Sequence, residues 1–208
     1  MPLVPRLDSL VIATTNAGKT REIRLALDGL PLRLLNLADF PALEEPEEAG
    51  ATFAANALAK AAYYCGRLGA PTVADDSGLS IDALGGRPGV LSARYPGDTY
   101  AEKFVNLYRE LGPHPRPWTA RFICALVLCE QPHGTEAVSR VAFSCEAAVE
   151  GEILPDPRGT NGFGYDPIFY YPPYGRTLGE VSDAEKLAIS HRGVAFRQLR
   201  SWLETTRL

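Results

Sequence analysis

Two aspartates stand side by side in Val73-Ala74-Asp75-Asp76-Ser77-Gly78-Leu79, at the end of a short apolar run. A strand that ends in carboxylates and then meets Ser-Gly restricts the chain to folds in which strands open into functional loops, as α/β proteins do. Adjacent carboxylates repel unless a cation, hydrogen bonds or a basic side chain offsets their charge. A hard divalent ion such as Mg2+ meets that need, because it takes oxygen ligands from a few carboxylates and from substrate phosphates. The bland alternative is a turn, for which Asp-Ser-Gly is good chemistry. The block alone does not choose between the two.

The flanking pattern supports α/β. Leu10 to Ala13 reads as a buried strand, Thr14 to Gly18 as a loop, and Lys19 to Leu30 as a helix with Ile23, Ala26, Leu27 and Leu30 on one face. Arg33 to Leu37 reads as a second strand, followed by an acidic loop from Pro41 to Gly50. Thr52 caps an Ala-rich helix that closes at Gly66 or Gly69. Thr72 to Asp75 and Ser80 to Leu84 are expected as two strands, and Thr99 caps a helix ending near Leu111-Gly112. The second half is richer in β: Ala120 to Cys129 and Ala137 to Ile153, joined at Gln131-Pro132-His133-Gly134, suggest a long hairpin. A Gly/Pro-rich loop leads to an aromatic strand from Tyr165 to Tyr171, Ser182-Asp183-Ala184-Glu185 is a capping box, and a last helix runs from Gly193 to Glu204. The expected fold is α/β, a mixed sheet with flanking helices, in a single domain over 1–208.

Composition removes several functions. A net charge of -4 gives no general basic field, so nucleic-acid backbone is not an expected partner. The longest apolar run, Phe122 to Cys129, is too short to span a bilayer, and Met1 to Ser9 lacks a signal-peptide pattern. Cys65, Cys124, Cys129 and Cys145 form no CxxC pair and read as small buried hydrophobes in a reducing, cytoplasmic setting.

Four constellations carry candidate chemistry. Thr14-Thr15-Asn16-Ala17-Gly18-Lys19 sits between a strand and a helix, where free backbone amides and the helix dipole favour phosphate. It is not a P-loop, since GxxxxGK[ST] needs Gly where Ala13 stands. Asn56 and Lys60 share one helix face, and Glu47-Glu48 upstream could complete a metal site begun by Asp76; a solvated charge run is the plainer reading. Gly162-Phe163-Gly164-Tyr165-Asp166 could bring a ring against a flat base, or be an irregular turn with a core aromatic. His191 and Arg192 could hydrogen-bond a carbonyl-rich base edge, or simply mark a helix end. His114 and His133 read as incidental.

The order of these segments, together with Ser92-Ala93-Arg94-Tyr95 and Ser190-His191-Arg192-Gly193, resembles the inosine/xanthosine triphosphate pyrophosphatase family from Leu10 nearly to the C-terminus. The resemblance implies an elongated α/β fold with two lobes around a central cleft, a homodimer, and Mg2+-assisted hydrolysis of ITP, dITP or XTP to monophosphate and pyrophosphate. It assigns the triphosphate to Thr14, Thr15, Asn16, Ala17, Gly18 and Lys19 with Lys60 assisting. Asp76 would be the catalytic carboxylate, and Glu48, or Glu47, a second metal ligand. Ser77, Phe163, Gly164, Tyr165, Asp166, Lys186, His191 and Arg192 would surround nucleoside and base. Asn161 departs from the pattern, where Gly is more usual. A pyrophosphatase for modified pyrimidine nucleotides and a nucleotide sensor without turnover are the competing readings.

Overall fold

The computed structural model describes residues 6–131 and 139–208. Seven strands are hydrogen-bonded in the order β2-β1-β3-β4-β5-β6-β7. The sheet is mixed: β1 (Ser9–Ile12) pairs parallel with β2 (Arg33–Asn36) and with β3 (Thr72–Ile81), while β6 (Phe169–Tyr171) pairs antiparallel with β5 (Arg140–Ile153) and with β7 (Arg176–Thr177). The remaining strand is β4 (Trp118–Glu130). Five α-helices lie among the described residues: α1 (Ala17–Ala26), α2 (Phe53–Leu68), α3 (Tyr100–Leu111), α4 (Asp183–Ile189) and α5 (His191–Thr206). None is long and apolar enough to cross a membrane.

The chain divides into two compact units. The first comprises residues 1–76, 124–147 and 192–208. Here the continuous run Leu10-Val11-Ile12 is wholly buried, as expected of a strand flanked by parallel neighbours. Helix α2 turns Phe53, Ala57, Ala61, Tyr64 and Cys65 inward, starts at the Thr52 cap and stops at Gly69, whose φ of 64° is left-handed. Cys65, Cys124 and Cys129 are buried free thiols. The C-terminal end is tied down by charge: Arg207, 5% exposed, pairs with Glu130, 3% exposed, which also accepts from Arg140 at 3.0 Å. The backbone carbonyl of Arg207 accepts from Leu7 N–H at 3.0 Å.

The second unit comprises residues 77–123 and 148–191. Its core gathers Leu79, Ile81, Leu107, Leu111, Phe122, Ile168 and Phe169, all buried. Each such side chain contributes about 1.5–3 kcal/mol through the apolar area it removes from water. Capping boxes at Thr99 and Ser182 open α3 and α4 at the expected positions.

Three expectations change. The segment from Thr72 to Ile81 is one strand that runs through Asp75, Asp76 and Gly78, so the acidic pair does not sit at a turn, and no separate strand occupies Ser80 to Leu84. Local turn chemistry at Asp-Ser-Gly yields to strand pairing and to the side-chain partners that both carboxylates find, Lys19 and Arg192 at Asp75 and Asn56 at Asp76. Second, Tyr165 to Tyr171 is not all strand: a 3-10 turn, Asp166–Ile168, precedes β6, fixed by Pro167 and by the Asp166 carboxylate accepting Phe163 N–H. Third, the first and last helices are shifted, to Ala17–Ala26 and His191–Thr206. Pro132, His133 and Gly134 of the expected hairpin turn lie outside the described residues.

The paired burial of Arg207 and Glu130 yields a stability prediction. Arg207→Met should cost about 3 kcal/mol by leaving a buried carboxylate without its inner partner. Arg140→Ala, whose side chain is 52% exposed, should cost less than about 1 kcal/mol. Urea denaturation of the two variants measures both, and equal losses would contradict the assignment.

Candidate active site

The alternation of side chains along β3 organises the first unit's polar cluster. Successive residues of a strand point to opposite faces, so the hydrogen bonds and ion pairs of Asp75 and Asp76 run to different elements, although the charges of Lys19 and Lys60 act on both. Asp75, 1% exposed, receives Lys19 Nζ at 3.0 Å and the Arg192 guanidinium at 3.2 Å. Arg192, itself 2% exposed, also donates to Glu22 at 2.6 Å. Burial alone would push the Asp75 carboxyl up, but Lys19 and Arg192 outweigh it and hold it well below the ordinary carboxylate range. The same partnership raises Arg192 against the cost of its burial.

Asp76 faces α2. Its Oδ2 accepts Asn56 Nδ2 at 2.9 Å. Burial raises its pKa, Asn56 and Lys19 oppose that rise, and the nearby Glu48 charge adds to it. Lys60, one turn beyond Asn56, pairs with Glu48; burial works against its charge, yet Glu48 and the two aspartates raise its pKa. Glu48 is half-buried, whereas Glu47 is exposed. The i, i+4 relation of Asn56 and Lys60 therefore brings both to one acidic loop and one strand carboxylate.

The Thr14–Lys19 loop opens α1. Asn16 caps the helix, its Oδ1 accepting Lys19 N–H at 3.0 Å, and Thr14 Oγ1 accepts Asn16 N–H at 3.2 Å. The Ala17 and Gly18 amides lie at helix positions that no intrahelical carbonyl can satisfy. An open depression of about 850 Å3 borders this loop, with Arg21 and Arg24 among its lining. The arrangement suits an anion.

Charge in the cluster tests whether a metal ion fits. Lys19, Lys60 and Arg192 stand against Glu22, Glu48, Asp75 and Asp76, one negative charge in excess before any polyanion arrives. A triphosphate added here requires a further cation. Glu22 and Asp75 are held by the buried Arg192 guanidinium, so Glu48 and Asp76, held by Lys60 and Asn56, are the carboxylates that would act as oxygen donors. No group of three or more His, Cys, Asp or Glu suited to a metal occurs among the described residues. Two carboxylates without a third protein ligand fit Mg2+, which keeps water and phosphate oxygens in its shell.

In the second unit, Asp166, 2% exposed, accepts Phe163 N–H at 2.7 Å and pairs with Lys186, also 2% exposed. Lys186 Nζ lies 4.7 Å from the Phe163 ring centroid. Gly162 has φ 73°, and a Cβ there would collide with the Asp166 carboxylate, so the loop needs glycine. Phe163 is half-buried, which leaves part of its ring for a ligand. Tyr165 is a core residue: its hydroxyl donates to Ser92 C=O at 2.9 Å and its ring meets Tyr100 edge-on. His191, 4% exposed, stacks on Phe122 with ring centroids 4.9 Å apart. Ser77 is half-buried on β3. Asn161 Nδ2 donates to Val181 C=O and to Asp183, a structural use for the one departure from the family pattern.

The structure thus joins Lys19, Asp75 and Arg192 in one network, joins Glu48, Lys60, Asn56 and Asp76 in another, and gathers Phe163, Asp166 and Lys186 in a third. Arg192, expected at a base edge, gives its guanidinium to Asp75 and Glu22. Glu22 escapes sequence reasoning, because a buried Glu on an amphipathic helix is explained only by a partner 170 residues away.

A mixed α/β fold with a loop at a helix N-terminus that suits an anion, cations held by carboxylates and two carboxylates facing a common helix is compatible with a nucleotide-handling class of protein. The chain belongs to the Ham1 family, whose profile matches residues 10–202. It is 48% identical over 197 residues to the dITP/XTP pyrophosphatase of Geobacter sulfurreducens, covering 93% of this chain and 96% of that one. It is 50% identical over 194 residues to a Thermus thermophilus protein of the same description, with 91% and 89% covered. Among solved structures it matches a HAM1 protein from Coxiella burnetii with a TM-score of 0.84 at 39% identity, covering 95% of this chain and 99% of that one. The Mycobacterium abscessus nucleoside-triphosphatase / dITP/XTP pyrophosphatase gives 0.70, also at 39% identity, with 92% and 98% covered. The family read from the motifs is the family found.

Opposite pKa shifts at neighbouring carboxylates predict opposite stability effects. Asp75, depressed when folded, contributes stability that is present above its unfolded value of 3.8 and is lost as pH falls through the folded value. Asp75→Asn should therefore lower stability at neutral pH by about 3 kcal/mol or more, a fall in Tm of roughly 6 °C or more, and that deficit should shrink in acid. Asp76, raised when folded, is held more readily in its protonated form, so its ionisation costs stability as pH rises from 3.8 through the folded value. In metal-free neutral buffer Asp76→Asn should melt no lower than the parent. Calorimetry across pH checks both signs.

Proposed function

We propose that this protein hydrolyses deaminated purine nucleoside triphosphates, dITP, ITP and XTP, to the monophosphate and pyrophosphate, so removing them from the nucleotide pool. The observation that carries the reading is the paired Asp75 and Asp76 arrangement, with half-buried Lys19 and buried Arg192 on Asp75 and the second carboxylate turned to Asn56, in a chain 48% identical to a dITP/XTP pyrophosphatase.

The roles follow from charge and geometry. Thr14 to Gly18 offer hydroxyls and helix-terminal amides to phosphate oxygens. Lys19 and Lys60 supply positive charge, and their ion pairs with Asp75 and Glu48 hold the ammonium groups in place before substrate binds. Glu48 and Asp76 would hold Mg2+, which when bound neutralises charge developing on the phosphoryl oxygens. Asp76 accepts a hydrogen bond from the attacking water and orients it toward the α-phosphorus, with pyrophosphate leaving. Raising the Asp76 pKa by burial makes it a better proton acceptor than an exposed carboxylate.

For the base, Phe163 offers a stacking face, while Lys186, His191 and the surrounding loop offer donors to a 6-oxo group. Adenine presents an amine at that position, so donor meets donor and the unsatisfied groups reject it. Ser77, Gly164, Tyr165, Asp166 and Arg192 complete the proposed surroundings of the nucleoside. Of these, Asp166 and Tyr165 act by fixing the loop, and Arg192 by fixing Asp75. The functional form is proposed to be a cytoplasmic homodimer acting on the free nucleotide.

Steady-state pyrophosphate release from ITP, dITP, XTP, GTP and ATP with Mg2+ tests the reading. ITP, dITP and XTP should exceed ATP by at least about 100-fold in kcat/KM, the range a mispaired buried donor enforces. Equal rates with ATP, or activity confined to modified pyrimidine nucleotides, would contradict it. Asp76→Asn should fold and lose at least about 100-fold in kcat, whereas near-normal turnover in that variant would remove Asp76 from the mechanism.

A further inference from the structure

Asn56 is a helix residue with no helical reason to be there. It is 2% exposed on the inward face of α2, beside Ala57 and close to Ala61, where Ala would have better helix propensity and no polar group to desolvate. A buried primary amide is tolerated only when its donor and acceptor are both used. Both are used here, on two different elements. Nδ2 donates to Asp76 Oδ2 at 2.9 Å, and Oδ1 accepts Gly50 N–H at 2.8 Å. The orientation is fixed chemically, since a backbone N–H can only donate and an ionised carboxylate can only accept.

Gly50 lies two residues after Glu48. Its backbone rests directly on α2: a Cβ there would fall 2.5 Å from Asn56 Oδ1 and 3.0 Å from Ala55 Cβ. The acidic loop is therefore held to the helix at Gly50 by Asn56 and at Glu48 by Lys60.

We propose that Asn56 is a positioning residue for the metal-binding carboxylates, a single amide that clamps the Glu48 loop and Asp76 at fixed separation so that both can ligate one divalent ion. Lys60 cannot do this work, because its ion pair with Glu48 competes with metal for the carboxylate. The amide contributes no charge, so it sets geometry without reducing affinity for a cation. This inference rests on the assignment of Glu48 and Asp76 as metal ligands proposed above.

The test is Mn2+ binding to the nucleotide-free protein, followed by electron paramagnetic resonance, for the parent, Asn56→Ala, Gly50→Ala and the double variant, with ITP hydrolysis measured in parallel. Removing a group that orients metal ligands costs about tenfold or more in affinity. Asn56→Ala should weaken Mn2+ by that factor while melting cooperatively. Gly50→Ala should do the same with Asn56 intact, because its Cβ displaces the amide oxygen. The double variant should bind within about twofold of Asn56→Ala, since one clamp can be opened only once. If Asn56→Ala does not fold, Gly50→Ala decides alone. Unchanged Mn2+ affinity in a folded variant overturns the clamp, as do fully additive losses. A parent that hydrolyses ITP but binds no Mn2+ overturns the clamp and leaves the pyrophosphatase reading standing. A parent that binds Mn2+, loses it on substitution, and does not turn over ITP supports the clamp and sinks the reading of the substrate.

Discussion

Everything in the first unit's polar cluster depends on the two-residue period of β3. Because Asp75 and Asp76 leave opposite faces of one strand, two adjacent carboxylates do two separate jobs. Asp75 is the shared counterion of half-buried Lys19 and buried Arg192, and without it the two cations would repel one another across the space it fills. Asp76 instead faces a neutral amide and a neighbouring acidic loop. A turn at this place would have let both carboxylates point one way and would have merged a structural role with a chemical one.

That division explains why the cluster is negative overall although its proposed substrate is more negative still. Positive charge in the cluster is already answered by carboxylates, so lysines held by ion pairs are fixed in position without leaving a strongly cationic surface. The surplus negative charge falls on Glu48 and Asp76, the two groups proposed to receive a metal ion. On that proposal, affinity for the nucleotide would depend on the divalent ion.

Much of this was legible in the sequence, and the remainder has a common cause. The strand before Thr14, the caps at Thr52, Thr99 and Ser182 and the stop at Gly69 are local signals and fell where they were expected. The loop from Thr14 to Lys19 lies before a capped helix, as its residue types and order imply. What escaped was the identity of partners. Asp-Ser-Gly is turn chemistry in isolation, and only the strand ladder and the buried cations make it strand. Glu22 carries no local signature of function, since its partner lies far along the chain, and Asn56, placed with Lys60 by helical spacing alone, finds its partners on a strand and in an irregular loop. The partners of Asp166, Phe163 N–H and Lys186, are set by the fold of a glycine loop.

The central claim, that β3 assigns Asp75 to the cations and Asp76 to the metal, can be seen directly. A crystal of the protein with Mn2+ and a non-hydrolysable ITP analogue would locate the ion by anomalous scattering. The account predicts a peak at coordination distance, about 2.1 Å, from carboxylate oxygens of Asp76 and Glu48, with Asp75 still bound to Lys19 and Arg192. A peak ligated by Asp75, with Lys19 released from it, would contradict the account.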